Sequence, residues 1–220
     1  MISHAHRCIY VHIPKTAGTS IEFKLGHFKE LKRGVQDHRT IRDIEPLSSL
    51  ETTQLFLKGD WKLLYRRAKY LMNQSGSVSR EQFGRYYKFT FVRNPWARVF
   101  SWYKNVMRDE IHRQSFQVSD QCSFKEFLRR FAGKQMIRPQ LHWIKDVRGK
   151  IPLDFVGRYE NLEVDFGRVA EAIGLKDKSL TKLLPGESTG YAASYDDETR
   201  DLVAKVYAEE ILLFKYKFGE

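Results

Sequence analysis

Three short apolar runs along the chain are each followed by a stretch with helical periodicity. The runs are "CIYVHI" at 8–13, "YKFTFVR" at 87–93 and "LDFVG" at 153–157. They are rich in β-branched and aromatic residues, which is typical of buried strands. Strands that alternate with crossover helices predict a parallel sheet covered on both faces. We therefore expect an α/β fold with a central parallel sheet flanked by helices.

The spacing of the apolar residues predicts helices after each strand. The first starts near Gly18 and ends near Gly26, a plausible C-cap, and another follows Asp60. The missing N–H of Pro95 costs little in the first turn of the next helix. We place its apolar face on Trp96, Val99, Phe100, Tyr103 and Met107. Further helices are predicted over 123–133, 136–144, 161–174 and 194–214.

Composition indicates a globular protein with one domain over residues 1–220. The hydrophobic fraction is 42% and the charged fraction is 30%, which is ordinary for such a chain. No apolar run reaches the ~18 residues of a membrane span, and the N-terminus lacks the apolar region of a signal peptide. The spacing of Cys8 and Cys122 does not suit zinc, so we expect no metal, and Cys8 is expected to be a buried, reduced thiol.

The formal net charge of +11 indicates an anionic partner. Nucleic acid, an acidic membrane and small anionic ligands would all fit this charge. The basic residues are spread along the chain, with short doublets such as Arg66-Arg67, and no nucleic-acid module is recognisable. We therefore expect no nucleic-acid partner.

The turn after the first strand has the composition of an anion-binding loop. It contains one lysine, Lys15, followed by small and hydroxyl residues, namely Thr16, Ala17, Gly18, Thr19 and Ser20. Backbone N–H groups at such a strand-to-helix turn favour phosphate or sulfate, and Gly18 allows close approach. Lys15 precedes the glycine, whereas the lysine of a Walker A loop follows the last glycine. Helix capping with an exposed lysine is the alternative interpretation.

The second strand also ends in a cation. Arg93 follows the apolar run, and Ser101 lies about two turns into the next helix on its non-apolar side. An arginine there can form a bidentate pair with a second phosphate. A surface arginine and an unrelated helix serine explain these two residues equally well. Ligands of parallel sheets bind at the carboxyl ends of strands, so two neighbouring anion sites suggest one ligand with phosphates at both ends.

These two motifs, in this order, resemble the paired nucleotide motifs of the sulfotransferases. "HIPKTAGTS" at 12–20 and "FTFVRNPWARVFSWY" at 89–103 are similar to those of the carbohydrate sulfotransferases related to the heparan and chondroitin enzymes of the Golgi, and of their bacterial relatives. The likeness continues in "DFVGRYENL" at 154–162 and "ILLFKYKFG" at 211–219. The resemblance implies a P-loop-like, three-layer fold and a sulfotransferase that uses 3′-phosphoadenosine 5′-phosphosulfate (PAPS).

The resemblance also implies roles for individual residues. The first loop, Lys15 to Ser20, would hold the 5′-phosphosulfate, and Arg93 with Ser101 would hold the 3′-phosphate. Lys15 would neutralise the charge that develops on the leaving oxygen as 3′-phosphoadenosine 5′-phosphate (PAP) forms. No metal is implied.

The acceptor hydroxyl must lose a proton during transfer, which indicates a histidine base. His38, in "QDHRTIRDIE", matches the position of the base in the related enzymes. Asp37 or Asp43 could orient it, and a surface-loop histidine is the alternative. His12, next to the loop, is expected to be structural.

Two other classes of function remain open from the residues. A small-molecule or nucleotide kinase would fit the topology, but no apolar strand ends in an aspartate for magnesium, and the acid of "LDFVG" stands at its start. A non-catalytic polyanion-binding protein would fit the charge and would show strongly salt-dependent binding.

The acceptor is not defined by the sequence. We expect a hydroxyl on a carbohydrate or on another small or carrier-bound molecule, and we expect residues 29–86 and 183–195 to shape its site. The Golgi relatives carry a membrane anchor that is not recognisable here. The sequence therefore favours a soluble, cytoplasmic enzyme of the bacterial type, or a detached domain.

Overall fold

A computed structural model describes residues 1–32, 34–72, 76–181 and 190–220. The chain forms two compact units. The first comprises 1–92 with 141–183, and the second comprises 93–140 with 184–220. The expectation of one domain over 1–220 stays a prediction.

The first unit contains a four-stranded sheet in the order β1-β2-β3-β4. Its strands are β1 (Ile2–Ser3), β2 (Cys8–Val11), β3 (Tyr87–Val92) and β4 (Phe155–Arg158). β1 is antiparallel to β2, whereas β2, β3 and β4 are parallel. In register, Tyr10 lies opposite Phe89, and Thr90 lies opposite Val156. The predicted α/β class is therefore confirmed, while the P-loop-like arrangement in three layers stays a prediction.

Helices of the first unit cover both faces of the sheet. They are α1 (Gly18–Lys24), α2 (Ile41–Ile44), α3 (Ser49–Leu57), α4 (Trp61–Met72), α5 (Arg80–Arg85), α9 (Leu141–Ile144) and α10 (Leu162–Ala172). On one face, Tyr10 of β2 belongs to a cluster with Ile21 of α1 and Phe166 of α10. On the other, Ile9 packs with Ile44. Because successive strand residues point to opposite faces, one strand supplies both cores.

The helix predicted after Asp60 is α4, and Leu63 is its buried apolar residue, while its other large apolar side chains are mostly exposed. Trp61 is 57% exposed, Tyr65 is 72% exposed and Met72 is 87% exposed. Polar contacts attach the helix in addition to Leu63. Arg66 Nε donates to Asp43 Oδ1 at 2.9 Å, and Arg67 Nη2 donates to the carbonyl oxygen of Glu45 at 2.8 Å.

The second unit contains α6 (Pro95–Arg108), α7 (Glu110–Phe116), α8 (Phe124–Phe131), α11 (Asp197–Val206) and α12 (Ala208–Phe214). The predicted apolar face of α6 is shifted, because Trp102 and Val106 are buried while Phe100 and Met107 are half-buried. Arg98 is fully buried on this helix. Its Nη2 donates to the carbonyl oxygens of Met136 and Arg138 at 3.3 and 2.9 Å.

Two predicted helices are each split. The helix expected over 136–144 is a 3-10 turn, Gln135–Ile137, followed by α9, because Pro139 lies between them and cannot donate a backbone bond. The helix expected over 194–214 is divided between α11 and α12, and its first cap is Asp196 rather than Ser194. The helices predicted from Gly18, Pro95, Ser123 and Asn161 are confirmed.

Both cysteines are buried, free thiols. Burial raises the pKa of the Cys8 thiol to about 12. A thiol with so high a pKa is unreactive at neutral pH. The prediction of a buried, reduced Cys8 is therefore confirmed.

Candidate functional site

The loop that joins β2 to α1 has a backbone suited to anions. Lys15 and Ala17 adopt positive φ angles of 71° and 67°, whereas Thr16 between them does not. Side chains with a Cβ adopt this region at a cost, and such strain concentrates at functional sites. Alternation of the sign of φ turns successive N–H groups towards a common concavity that binds anions.

Thr16 stabilises this loop from inside. It is fully buried, and its Oγ1 donates to the carbonyl oxygen of Ile13 at 2.8 Å. Ser20 is also buried, whereas Lys15 and Thr19 are partly exposed. The structure therefore places the hydroxyl of Thr16 on the backbone of its own loop, where it stabilises the turn.

Gly18 lies directly against the imidazole of His12. A Cβ on Gly18 would lie 2.0 Å from both Cδ2 and Nε2 of that ring. His12 follows β2 and is 3% exposed, so the ring has little space into which it could move. The glycine is required here by a side chain of the protein itself, in addition to any need for close approach by a ligand.

We expect Gly18→Ala to lower the free energy of unfolding by about 1–3 kcal/mol, because His12 must leave its position. Chemical denaturation measures this change. Gly167→Ala in α10 is a matched control, since a Cβ there meets nothing within 4 Å. The control should be neutral or stabilising by up to ~1 kcal/mol. Equal stability of both variants would contradict the close contact at Gly18.

A buried carboxylate joins the loop to the segment that carries His38. Glu22 of α1 is fully buried. Its Oε1 lies 3.1 Å from His12 Nδ1 and accepts the backbone N–H of Asp37 at 3.0 Å. Burial alone would raise the pKa of Glu22, but the adjacent His12, the N-terminal amine and the Asp37 amide hold it below its usual range.

His38 lies beside this carboxylate and in contact with His12. The centroids of the two imidazoles are 4.3 Å apart, with the rings tilted by 53°. Burial, together with the neighbouring His12, lowers the pKa of His38 to about 4, against the opposing effect of Glu22. The imidazole is therefore neutral at neutral pH and able to accept a proton. The structure brings His38 and the loop into one unit through His12 and Glu22.

The two aspartates considered as partners of His38 have other hydrogen-bond partners. Asp37 pairs with Arg39, whose Nε lies 2.9 Å from Oδ1. The N-terminal amine and Arg39 hold the pKa of Asp37 well below its usual range despite burial. Asp43 accepts from Thr40 at the start of α2 and from Arg66. These contacts fix the backbone on either side of His38.

Arg93 and Ser101 belong to the second unit. Arg93 follows β3 directly and is 3% exposed. Gln140 clamps its backbone, since Oε1 accepts the Arg93 N–H and Nε2 donates to its carbonyl oxygen, both at 2.8 Å. Buried Glu210 accepts from Gln140 in turn, at 3.0 Å from Nε2. Ser101 is half-buried on α6.

Sequence reasoning missed Glu22, Gln140 and Glu210, and it treated His12 as structural. A signal for Glu22 was present, because Gly18, Ile21, Glu22 and Leu25 follow the i, i+3, i+4, i+7 spacing of a core-facing side. An acid on that side is unusual and needs a buried partner. Gln140 and Glu210 stand far from both motifs in the sequence and gave no comparable signal.

The expected acceptor-site segment 183–195 lies partly outside the described residues, which resume at Gly190. Across the described part of the chain, no group of three or more His, Cys, Asp and Glu side chains could hold a metal ion. None of the helices in those same residues is long and apolar enough to cross a membrane.

The structure defines an α/β protein with a mostly parallel sheet and a lysine-bearing loop that follows its first parallel strand. Comparison with known protein families identifies the family to which the chain belongs. The model of the sulfotransferase family matches residues 1–217, and the chain belongs to this family.

Curated relatives agree with this assignment. Human carbohydrate sulfotransferase 14 is 26% identical over 191 residues, which cover 78% of this chain and 45% of the relative. The zebrafish protein of the same name is 23% identical over 201 residues, covering 79% of this chain and 48% of the relative. An uncharacterised protein of Archaeoglobus fulgidus is 31% identical over 112 residues, covering 46% of this chain and 78% of that protein.

The chain spans about half the length of the carbohydrate sulfotransferase 14 relatives that it matches. No solved structure matches the chain.

Proposed function

We propose that this protein transfers a sulfuryl group from PAPS to a hydroxyl group of an acceptor. The observation that carries the proposal is the match of the sulfotransferase family over residues 1–217. The geometry of the loop supports it, since alternating φ angles at Lys15, Thr16 and Ala17 suit an anionic group.

In this proposal the loop Lys15–Ser20 holds the 5′-phosphosulfate of the donor. Lys15 neutralises the charge that develops on the 5′-phosphate oxygen as the sulfur–oxygen bond breaks. Arg93 and Ser101 hold the 3′-phosphate. The clamp of Gln140 on the backbone of Arg93 supports this role, because a fixed backbone reduces the entropy lost when the guanidinium binds.

His38 acts as the general base. The acceptor oxygen attacks the sulfur atom, the bond between sulfur and the 5′-phosphate oxygen breaks, and the acceptor proton passes to the His38 imidazole. PAP and the sulfated acceptor leave as products. The neutral state of His38 supports this role, since a protonated imidazole could not accept the proton.

The acceptor that we propose is a hydroxyl on a carbohydrate, because the curated relatives with assigned names are carbohydrate sulfotransferases. The net charge of +11 is compatible with an acidic glycan as well as with the donor. The alternative acceptors, to be tested against carbohydrates, are small or carrier-bound compounds with a hydroxyl group.

Transfer of radiolabelled sulfate from PAPS to a panel of neutral glycans, acidic glycans, lipids and carrier-bound hydroxy acids tests the proposal. We expect a labelled product that contains carbohydrate, with undiminished yield in excess EDTA. Calorimetry should detect binding of PAP. Phosphoryl transfer from ATP that requires magnesium would instead indicate a kinase. Salt-dependent binding of heparin or duplex DNA without affinity for PAP would indicate a polyanion-binding protein.

A further inference from the structure

Glu22 is a buried charge whose role is not explained by the fold alone. It lies on α1, the helix that begins at the anion-binding loop, and it is fully buried. A buried carboxylate is costly to desolvate unless hydrogen bonds or opposite charge compensate it. A hydrophobic residue at this position would continue the core-facing side of α1 without that cost.

The polar contacts of Glu22 are made by a single oxygen atom. Oε1 lies 3.1 Å from His12 Nδ1 and 3.0 Å from the backbone nitrogen of Asp37. Oε2 is buried and has no hydrogen-bond partner among the described residues. The carboxylate therefore connects the end of β2 to the residue just before His38 through Oε1, and Oε2 takes no part in this connection.

The contacts of Glu22 lie around the imidazole of His38. His12, which Glu22 contacts, lies against His38, with the ring centroids 4.3 Å apart and the ring planes tilted by 53°. Asp37, whose amide Glu22 accepts, is the preceding residue in the chain. Movement of Glu22 would therefore disturb both a ring contact and the backbone of His38.

Several charged groups face His38, and they have opposite effects. Glu22 and Asp37 stabilise its protonated form, whereas burial and His12 oppose it. The charge of Asp37 is largely neutralised by Arg39 and by the N-terminal amine at 3.5 Å. Glu22 forms no ion pair with an arginine among the described residues, although the N-terminal amine also helps to lower its pKa.

We propose that Glu22 is a positioning residue for His38, fixing His12 and the Asp37–His38 backbone and holding a negative charge beside the imidazole. This inference rests on the proposed function, in which His38 accepts the acceptor proton. When His38 becomes an imidazolium, the charge of Glu22 stabilises it. Glu22 itself does not touch the reacting atoms.

Glu22→Gln removes the charge and keeps the geometry. The amide oxygen can occupy the place of Oε1, accept the Asp37 N–H and remain beside His12 Nδ1, and the amide nitrogen takes the place of the unpartnered Oε2. We expect the pKa of His38 to fall, because the imidazolium loses a nearby negative charge. Turnover should fall about 10- to 100-fold, while the affinity for PAP and the unfolding midpoint stay near those of the wild type.

Titration of the His38 imidazole by NMR measures this change without any enzymatic assay. Glu81→Gln is the matched control, since Glu81 is an exposed helical carboxylate of α5 paired with Arg85, and its removal should leave the His38 titration unchanged. If Glu22→Gln does not fold, Glu22→Asp serves as the second variant. It keeps a carboxylate at position 22, but the shorter side chain moves the carboxylate oxygen away from His12 and the Asp37 amide. We expect turnover to slow at least tenfold.

An unchanged pKa of His38 in folded Glu22→Gln, or wild-type turnover in either folded variant, would overturn the inference. Failure of the proposed function has a different signature. In that case wild-type protein transfers no sulfate to any acceptor, while the His38 titration still responds to Glu22→Gln.

Discussion

Lys15→Ala loses both donor binding and turnover if the loop holds the phosphosulfate. A charge-assisted hydrogen bond contributes about 1.5–3 kcal/mol, so the affinity for PAP should fall about 10- to 100-fold. Turnover should fall by a further factor of about 10²–10³, because the leaving oxygen loses its neutralising cation. Calorimetry with PAP and the rate of labelled sulfate transfer measure the two losses separately.

The backbone conformation at residue 15 affects Lys15→Ala and the wild type equally. Its φ is 71°, a region that is similarly unfavourable for alanine and for lysine. A difference between the two proteins therefore measures the loss of the lysine side chain rather than relief of backbone strain. Lys32→Ala is a suitable control, since Lys32 is 72% exposed and pairs with Glu30. Unchanged affinity of Lys15→Ala for PAP would contradict the assignment of the loop.

His38→Ala separates chemistry from binding. We expect turnover to fall by about 10²–10⁴-fold, the usual contribution of a general base, with near-normal affinity for PAP. His27→Ala removes an exposed histidine and should behave like the wild type. A His38→Ala variant that retained most of its turnover would show that another group accepts the proton.

The pH dependence follows from the same residue. The pKa of His38 is lowered to about 4, so the unliganded protein loses its base only as the pH falls towards 4. The acid side of the kcat/KM profile should therefore lie near pH 4 in the wild type and be missing from the residual activity of His38→Ala. Bound donor places negative charge near the imidazole, which raises its pKa, so the corresponding limb of kcat should lie at higher pH.

Local patterns predicted β2, β3 and β4 and the starts of α1, α4, α6, α8 and α10, because these depend on neighbouring residues. They did not predict the antiparallel strand β1 or the short helices α2, α3, α5 and α7. Pro95 begins α6, and the apolar runs at 8–13 and 87–93 contain β2 and β3. The length of the helix at 136–144 was wrong, because Pro139 interrupts it. The shifted face of α6 depends on Arg98, whose guanidinium reaches carbonyl groups about 40 residues away. Periodicity contains no information on such a contact.

The sequence by itself determined the α/β class, the loop with Lys15 before its glycine, and the membership of the sulfotransferase family, since each depends on residue order over short stretches. The tertiary structure alone decided that Glu22, rather than Asp37 or Asp43, connects the loop to His38. That connection joins the end of β2, one face of α1 and a later segment. Only packing of the chain in three dimensions brings them within hydrogen-bond distance, and only burial makes the charge of Glu22 strong enough to affect its neighbours.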